Sequence, residues 1–148
     1  IKTITKLLLT THEVSVVRDQ KISLTGSYEL AKNIDYLIDL SIKKIKNDNF
    51  SPKIMHFTNK GYTNWYKVAK IVNSEIQLIL NKKIKSKLKS IESSDWNSLA
   101  KRPLDSRLKV NFKEFEKEKI FLPKWQDSVR IFVRKILPEI LKDIKNDK

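Results

Sequence analysis

Apolar positions recur at helical spacing over three long stretches of this chain and alternate over shorter ones. Ile4, Leu7 and Leu8 mark the end of an amphipathic helix, and Val14-Ser15-Val16-Val17 follows, whose β-branched side chains favour a short strand. A loop then runs from Arg18 to Gly26. From Tyr28 onward, Leu30, Ile34, Leu37, Ile38, Ile42 and Ile45 fall three and four residues apart, predicting one long helix that buries this stripe. The turn formers Asn47-Asp48-Asn49 and Ser51-Pro52 end it.

Ile54-Met55-His56-Phe57-Thr58 reads as a strand closed by a turn at Asn59-Lys60-Gly61. Thr63 or Asn64 caps the next helix, whose buried side is Trp65, Val68, Ala69, Val72, Ile76 and Ile79. Residues 81–90 then alternate. Ile84, Ser86 and Leu88 take one face of a strand, and Lys83, Lys85, Lys87 and Lys89 the other. A polar loop carries Ser93-Ser94-Asp95-Trp96 and Lys101-Arg102-Pro103-Leu104-Asp105-Ser106-Arg107-Leu108. Asn111 with Glu114 fits a capping pattern for a short helix reaching about Lys119. Pro123 suits the first turn of the last helix, buried through Trp125, Val129, Phe132, Val133, Ile136 and Ile140. Pro138 is expected to kink or end that helix near Ile136-Leu137, and the tail from Lys142 to fray.

A length of 148 residues suits one domain. Lys and Arg number 31 against 17 acids, a net charge of +14, which would suit a polyanion if it were concentrated. The excess is spread out, and the lysine-rich strand reads as an edge strand keeping one face wet. A sequence that opens on Ile1 without a leader reads as a piece of something longer. No apolar run approaches the ~20 residues that cross a bilayer, and the absence of cysteine leaves the cytoplasm as the default compartment.

Only Gly26 and Gly61 are glycine, so no Gly-rich turn can cradle a pyrophosphate here. His12 and His56 lie far apart and lack carboxylates at ligand spacing; His56 reads as a strand residue with a satisfied hydrogen bond. Tyr28 with Lys32, and Tyr66 with Lys70, share a helix face as in some reductases, but each pair lies beside a buried stripe and follows a turn where tyrosine is common. The loops carry more. Arg18-Asp19-Gln20 leaves a strand and Thr25 precedes a helix, which gathers hydrogen-bonding groups at an edge where α/β folds bind ligands. Arg102, Ser106 and Arg107 form a second cluster. A guanidinium suits a diphosphate; equally, Arg102 could pair with Asp105.

Three ordered stretches resemble the dTDP-4-dehydrorhamnose reductase family. Phe57 to Ala69 is similar to its strand, Gly turn and Ser/Thr-x-Trp helix start. Ala100 to Leu108, with Leu122-Pro123-Lys124-Trp125, is similar to its Arg-Pro-x-Asn-Ser-x-Leu segment and closing Trp helix. Val17 to Ala31 resembles its Asp-Gln-x-Gly-x-Pro-Thr loop and Asp-Leu-Ala helix. Ile22 and Leu24 stand where the family favours Gly and Pro, Glu29 replaces Asp, and Asp105 replaces Asn, adding a negative charge near the expected phosphate site.

The resemblance implies an α/β fold: the C-terminal portion of an extended short-chain dehydrogenase, with part of the nucleotide-binding sheet and a small substrate-binding lobe over residues 1–148. It implies reduction of a dTDP-4-keto sugar by NADPH or NADH to give dTDP-L-rhamnose for cell-surface polysaccharide. Arg102, Ser106, Gln20 and Thr25 are the expected substrate-binding residues. No catalytic residue maps onto this chain, because the family's Tyr-Lys pair and dinucleotide fingerprint precede the matched part. The fragment alone is therefore expected to be inactive and to bind no cofactor. Its expected partners are the dTDP-sugar, the N-terminal half and, through uncovered sheet edges, a second copy in a homodimer or domain swap; a membrane is not expected. A regulatory subunit of the same fold and a basic nucleic-acid-binding module stand as alternatives.

Overall fold

A computed structural model describes residues 1–46, 56–96, 100, 102–110, 112–117 and 120–146. The first helix, α1 (Lys2–Thr10), leads into β1 (Glu13–Val17). A two-residue strand, β2 (Lys21–Ile22), and a long helix, α2 (Ser27–Lys46), follow. Next come α3 (Trp65–Leu80) and β3 (Lys87–Ile91). The chain finishes with β4 (Asp105–Ser106), α4 (Phe112–Lys117) and α5 (Trp125–Asn146).

β1 and β3 pair in parallel, Glu13 opposite Lys87 through Val17 opposite Ile91. Strand alternation turns Val14 and Val16 inward, where they meet Leu8 of α1, Val68, Ala69, Val72 and Ile76 of α3, and Trp125, Val129, Val133 and Leu137 of α5. This is the main core. The α3–α5 contact is clamped by Glu75, 3% exposed, which accepts from Arg134 Nε at 2.5 Å and lies 3.7 Å from Arg130 Nε. A smaller core joins Phe115, Ile120 and Leu122 to Leu37 and Phe57, with the two phenylalanine rings edge to face at 5.8 Å.

The ends of α3 follow its sequence. Asn64 caps it by accepting the Lys67 N–H at 2.8 Å, and Asn81 stops it in the left-handed conformation (φ 49°). Gly61, at φ +91°, makes the expected turn against the Trp125 ring. That turn is stitched to the start of α5: Lys60 N–H donates to Pro123 O at 2.9 Å, and Trp125 N–H to Lys60 O at 3.1 Å.

Several expectations need correction. The α2 stripe is not buried: Ile34, Ile38, Ile42 and Ile45 are 43–52% exposed, and only Leu37 reaches the smaller core. Ile79 and Phe132 are likewise exposed. The Arg18–Gly26 loop contains β2. Ile54 and Met55 lie outside the described residues. His56, Phe57 and Thr58 form no strand, and His56 is exposed; the segment is held by single bonds instead, including Asn59 N–H to Leu24 O at 2.8 Å. The lysine-rich strand is confined to Lys87–Ile91, although Ser86 is buried and Lys85, Lys87 and Lys89 face water as expected. Asn111 lies outside the described residues. α5 starts two residues after Pro123 and runs through Pro138 to Asn146. Pro138 and Arg134 share the exposed face, so the carbonyl deprived of a partner is open to water, while buried Leu137 and Ile140 hold the helix on its other side.

Candidate functional site

β2 is the hub of the site. Lys21 and Ile22 lie parallel to Asp105 and Ser106 of β4. Lys21 N–H donates to Leu104 O at 2.7 Å, and the Ser106 hydroxyl to Lys21 O at 3.3 Å. On the other side Ile22 and Thr63 exchange backbone bonds of 2.9 and 3.0 Å. Leu108 N–H reaches Ser23 Oγ at 3.0 Å. Three stretches distant in sequence are thus joined through their backbones. Ile22, although it stands where the family favours glycine, adopts ordinary strand backbone; among the described residues Asn81 is the only non-glycine at positive φ.

A cavity of about 360 Å³ opens over this junction. Gln20, Ser23, Arg102 and Ser106 supply its polar wall, and Ile22, Leu24, Trp65 and Pro103 its apolar wall. Arg102 is exposed and, among the described residues, makes no hydrogen bond or ion pair. Asp105 is occupied by Arg107, which donates Nε at 2.8 Å, Nη2 at 2.6 Å and its backbone N–H at 3.1 Å. These bonds, the side-chain ones above all, hold the Asp105 carboxyl down at about 2, and the same contact raises Arg107. The Arg107 guanidinium also lies over the Tyr62 ring, 5.1 Å from its centroid. Asp105 and Arg107 line a second cavity, of about 370 Å³, with Tyr62, Leu108 and Lys109.

Of the residues expected to bind substrate, the structure brings Gln20, Arg102 and Ser106 to one cavity. Thr25 is not among its lining residues; its hydroxyl donates to Phe57 O at 2.9 Å and fixes the loop. Arg18 and Asp19 are also engaged. Arg18 Nε donates to Glu92 at 2.6 Å. Asp19 accepts from the Ser93 hydroxyl at 2.6 Å and the Ser93 N–H at 3.0 Å, the hydroxyl contributing most to lowering its pKa. The end of this loop is tied to α5: Gly26 N–H donates to Asn59 Oδ1 at 2.8 Å, Asn59 Nδ2 to Ser128 Oγ at 2.8 Å, and Ser128 to Glu29. Trp65, expected on the buried side of α3, also forms a cavity wall from its place at the start of that helix, which the Ser/Thr-x-Trp spacing alone does not reveal. Tyr28 and Tyr66 lie outside both cavities, with Lys135 and Lys70 respectively 5.9 Å from their ring centroids.

A side chain at Gly26 would meet Glu29 Oε2 at 1.8 Å, and one at Gly61 would meet the Trp125 ring at 3.3 Å. Among the described residues no group of three or more His, Asp or Glu converges, and no helix is long and apolar enough to cross a membrane.

The family model described as the RmlD substrate binding domain matches residues 1–137. No curated protein matches the sequence. Among solved structures, the dTDP-4-dehydrorhamnose reductase of Bacillus anthracis, in complex with NADP, is 24% identical with a TM-score of 0.67, covering 90% of this chain and 42% of its own. The Clostridium acetobutylicum enzyme of that name is 26% identical with a TM-score of 0.65, covering 92% and 43%. The Yersinia enterocolitica enzyme, at 17% identity, a TM-score of 0.65 and coverage of 88% and 41%, shares the fold. The chain thus spans less than half the length of these relatives. With its α/β architecture, and with the three motif stretches meeting around β2, the chain belongs to the RmlD substrate-binding domain family.

Proposed function

We propose that this chain is the substrate-binding part of a cytoplasmic, NAD(P)H-dependent dTDP-4-dehydrorhamnose reductase that makes dTDP-L-rhamnose for cell-surface polysaccharide. One observation carries the reading: Gln20 and the Arg102–Ser106 stretch meet at one cavity, where Arg102 has no carboxylate partner among the described residues. A planar guanidinium with free donors suits a diphosphate through paired, charge-assisted hydrogen bonds. The Gln20 amide and Ser106 hydroxyl offer polar contacts beside it, and Trp65 and Leu24 offer an apolar wall to a 6-deoxy-hexose ring. The nicotinamide cofactor supplies the hydride. It is assigned, with proton transfer, to the part of the relatives that this chain does not span, in keeping with the NADP bound by the Bacillus anthracis enzyme.

The test joins the unmatched portion of the Clostridium acetobutylicum reductase to this chain and titrates the chimera with dTDP-rhamnose by calorimetry. A charge-assisted contact contributes ~1.5–3 kcal/mol, so Arg102→Ala is expected to weaken binding by about ten- to a hundredfold. Equal affinities would refute the assignment. The 148-residue chain alone is expected neither to bind NADPH tightly nor to turn over a dTDP-keto sugar; saturable turnover by it would refute the division of labour.

A further inference from the structure

Asn59, in the turn that precedes α3, is a buried amide, 2% exposed, and both polar atoms of its side chain have partners. Its Oδ1 accepts the Gly26 N–H at 2.8 Å. Its Nδ2 donates to Ser128 Oγ of α5 at 2.8 Å and reaches Pro123 O at 3.4 Å. The Ser128 hydroxyl donates in turn to Glu29 of α2. These bonds admit one polarity. An ionised carboxylate only accepts, so the hydroxyl proton points to Glu29, a Ser128 lone pair is left for Nδ2, and the amide is turned with Oδ1 towards Gly26. A buried network whose members are all satisfied specifies one arrangement of the chain around it.

What this network fixes is a wall of the substrate cavity. Asn59 itself is not among the residues that line that cavity. Its backbone N–H, however, donates to Leu24 O at 2.8 Å, so backbone and side chain together grip both ends of the tripeptide Leu24–Gly26. Leu24 lines the cavity and also packs against the main core. We propose that Asn59 is a positioning residue for the sugar nucleotide: oriented by Ser128, it presets Leu24 in the cavity wall before the ligand arrives; the role rests on the functional reading above. Ordering a loop at the moment of binding weakens affinity, and a wall already in place removes that loss. Ser128 and Glu29 thereby connect α5 and α2, neither of which lines the cavity, to the shape of the site.

Titration of the Clostridium acetobutylicum chimera with dTDP-rhamnose tests this through a double-mutant cycle. Asn59→Ala and Leu24→Ala are each expected to weaken binding by about three- to tenfold. Combined, they are expected to weaken it by no more than about twofold beyond Leu24→Ala alone, because without the Leu24 side chain there is no wall left to preset. A general loosening of the fold would instead give losses that multiply, and that result would overturn the proposal. Ser128→Ala leaves the buried amide in place and carries the test if circular dichroism melts show that Asn59→Ala does not fold. It is expected to weaken binding by about two- to fivefold, with the same dependence on Leu24. Wild-type affinity in Ser128→Ala, or in a folded Asn59→Ala, would likewise overturn the proposal. Two patterns separate it from the functional reading. Unchanged affinity in Arg102→Ala beside a Leu24-dependent loss in Asn59→Ala would remove the anion assignment and keep the positioning role. A loss in Arg102→Ala with wild-type affinity in Asn59→Ala would do the reverse. A wild-type chimera that binds no dTDP-rhamnose would overturn both.

Discussion

The clamp between α3 and α5 predicts an asymmetry in which removing an arginine costs more than neutralising its carboxylate. Glu75 is 3% exposed, whereas the side chains of Arg134 and Arg130 are 59% and 41% exposed. Truncating Arg134 leaves a buried carboxylate facing only Arg130, at 3.7 Å. Stripping a buried charge of its partner costs about 3–5 kcal/mol. Arg130 remains, and Arg134's exposure lets water take part of its place, so Arg134→Ala is expected to cost about 1.5–3 kcal/mol. Glu75→Gln keeps the shape and an oxygen acceptor, and releases arginines that water can solvate, so it is expected to cost less than about 1.5 kcal/mol. Arg130→Ala with Arg134→Ala should exceed the sum of the single losses, because only the double variant leaves Glu75 wholly unpartnered. Urea denaturation of the 148-residue chain, with midpoints compared at constant slope, measures all four. A Glu75→Gln loss as large as that of Arg134→Ala would refute the reasoning, since it would make the charge pair itself, rather than the buried carboxylate, the source of the stabilisation.

Other outcomes follow from single sites. Gly61→Ala places a side chain at φ +91° against Trp125, and is expected to lower stability by about 1–2 kcal/mol in the same assay; no change would mean that the turn relaxes freely. Asn64→Ala removes the cap of α3 and should cost about 1 kcal/mol, with Asn64→Asp recovering most of it. Asp105 has a folded-state pKa of about 2 against an ordinary value of 3.8. Its contribution to stability is therefore present above 3.8 and lost as pH falls through about 2. Asp105→Asn should flatten the fall in urea midpoint across that window, and an unchanged pH profile would show that the Arg107 contact does not persist in solution.

The parts legible in the sequence are those fixed by local chemistry. Helical spacing located α2, α3 and α5, and Asn64 and Gly61 marked where chain direction changes, because capping and positive φ depend on a few adjacent atoms. Periodicity identified the apolar face of α2 without saying what covers it. That depends on structure distant in sequence, and its isoleucines stay exposed in this chain. Likewise Pro138 ends a helix only when nothing else holds it, and the burial of Leu137 and Ile140 is a tertiary fact that overrides the local rule. β2 escaped because two residues, Lys21 and Ile22, carry no period; its identity as a strand comes from Thr63 on one side and β4 on the other.

The same logic separates the two arginines of the 100–108 loop. From composition either could hold an anion, and Asp105 is three residues from Arg102 and two from Arg107, so proximity in sequence leaves the pairing open. The hydrogen bonds decide it. Asp105 accepts from the Arg107 side chain and backbone N–H, while Ser106 lines the other cavity together with Arg102. The charge that Asp105 adds to the family's pattern is met by Arg107, and Arg102 keeps its donors free in the other cavity. Because β4 exists only through its pairing with β2, the conformation of the Asp19–Leu24 loop and the availability of Arg102 are a single structural property. A substitution that displaces β2 would therefore weaken the proposed anion binding without touching the arginine.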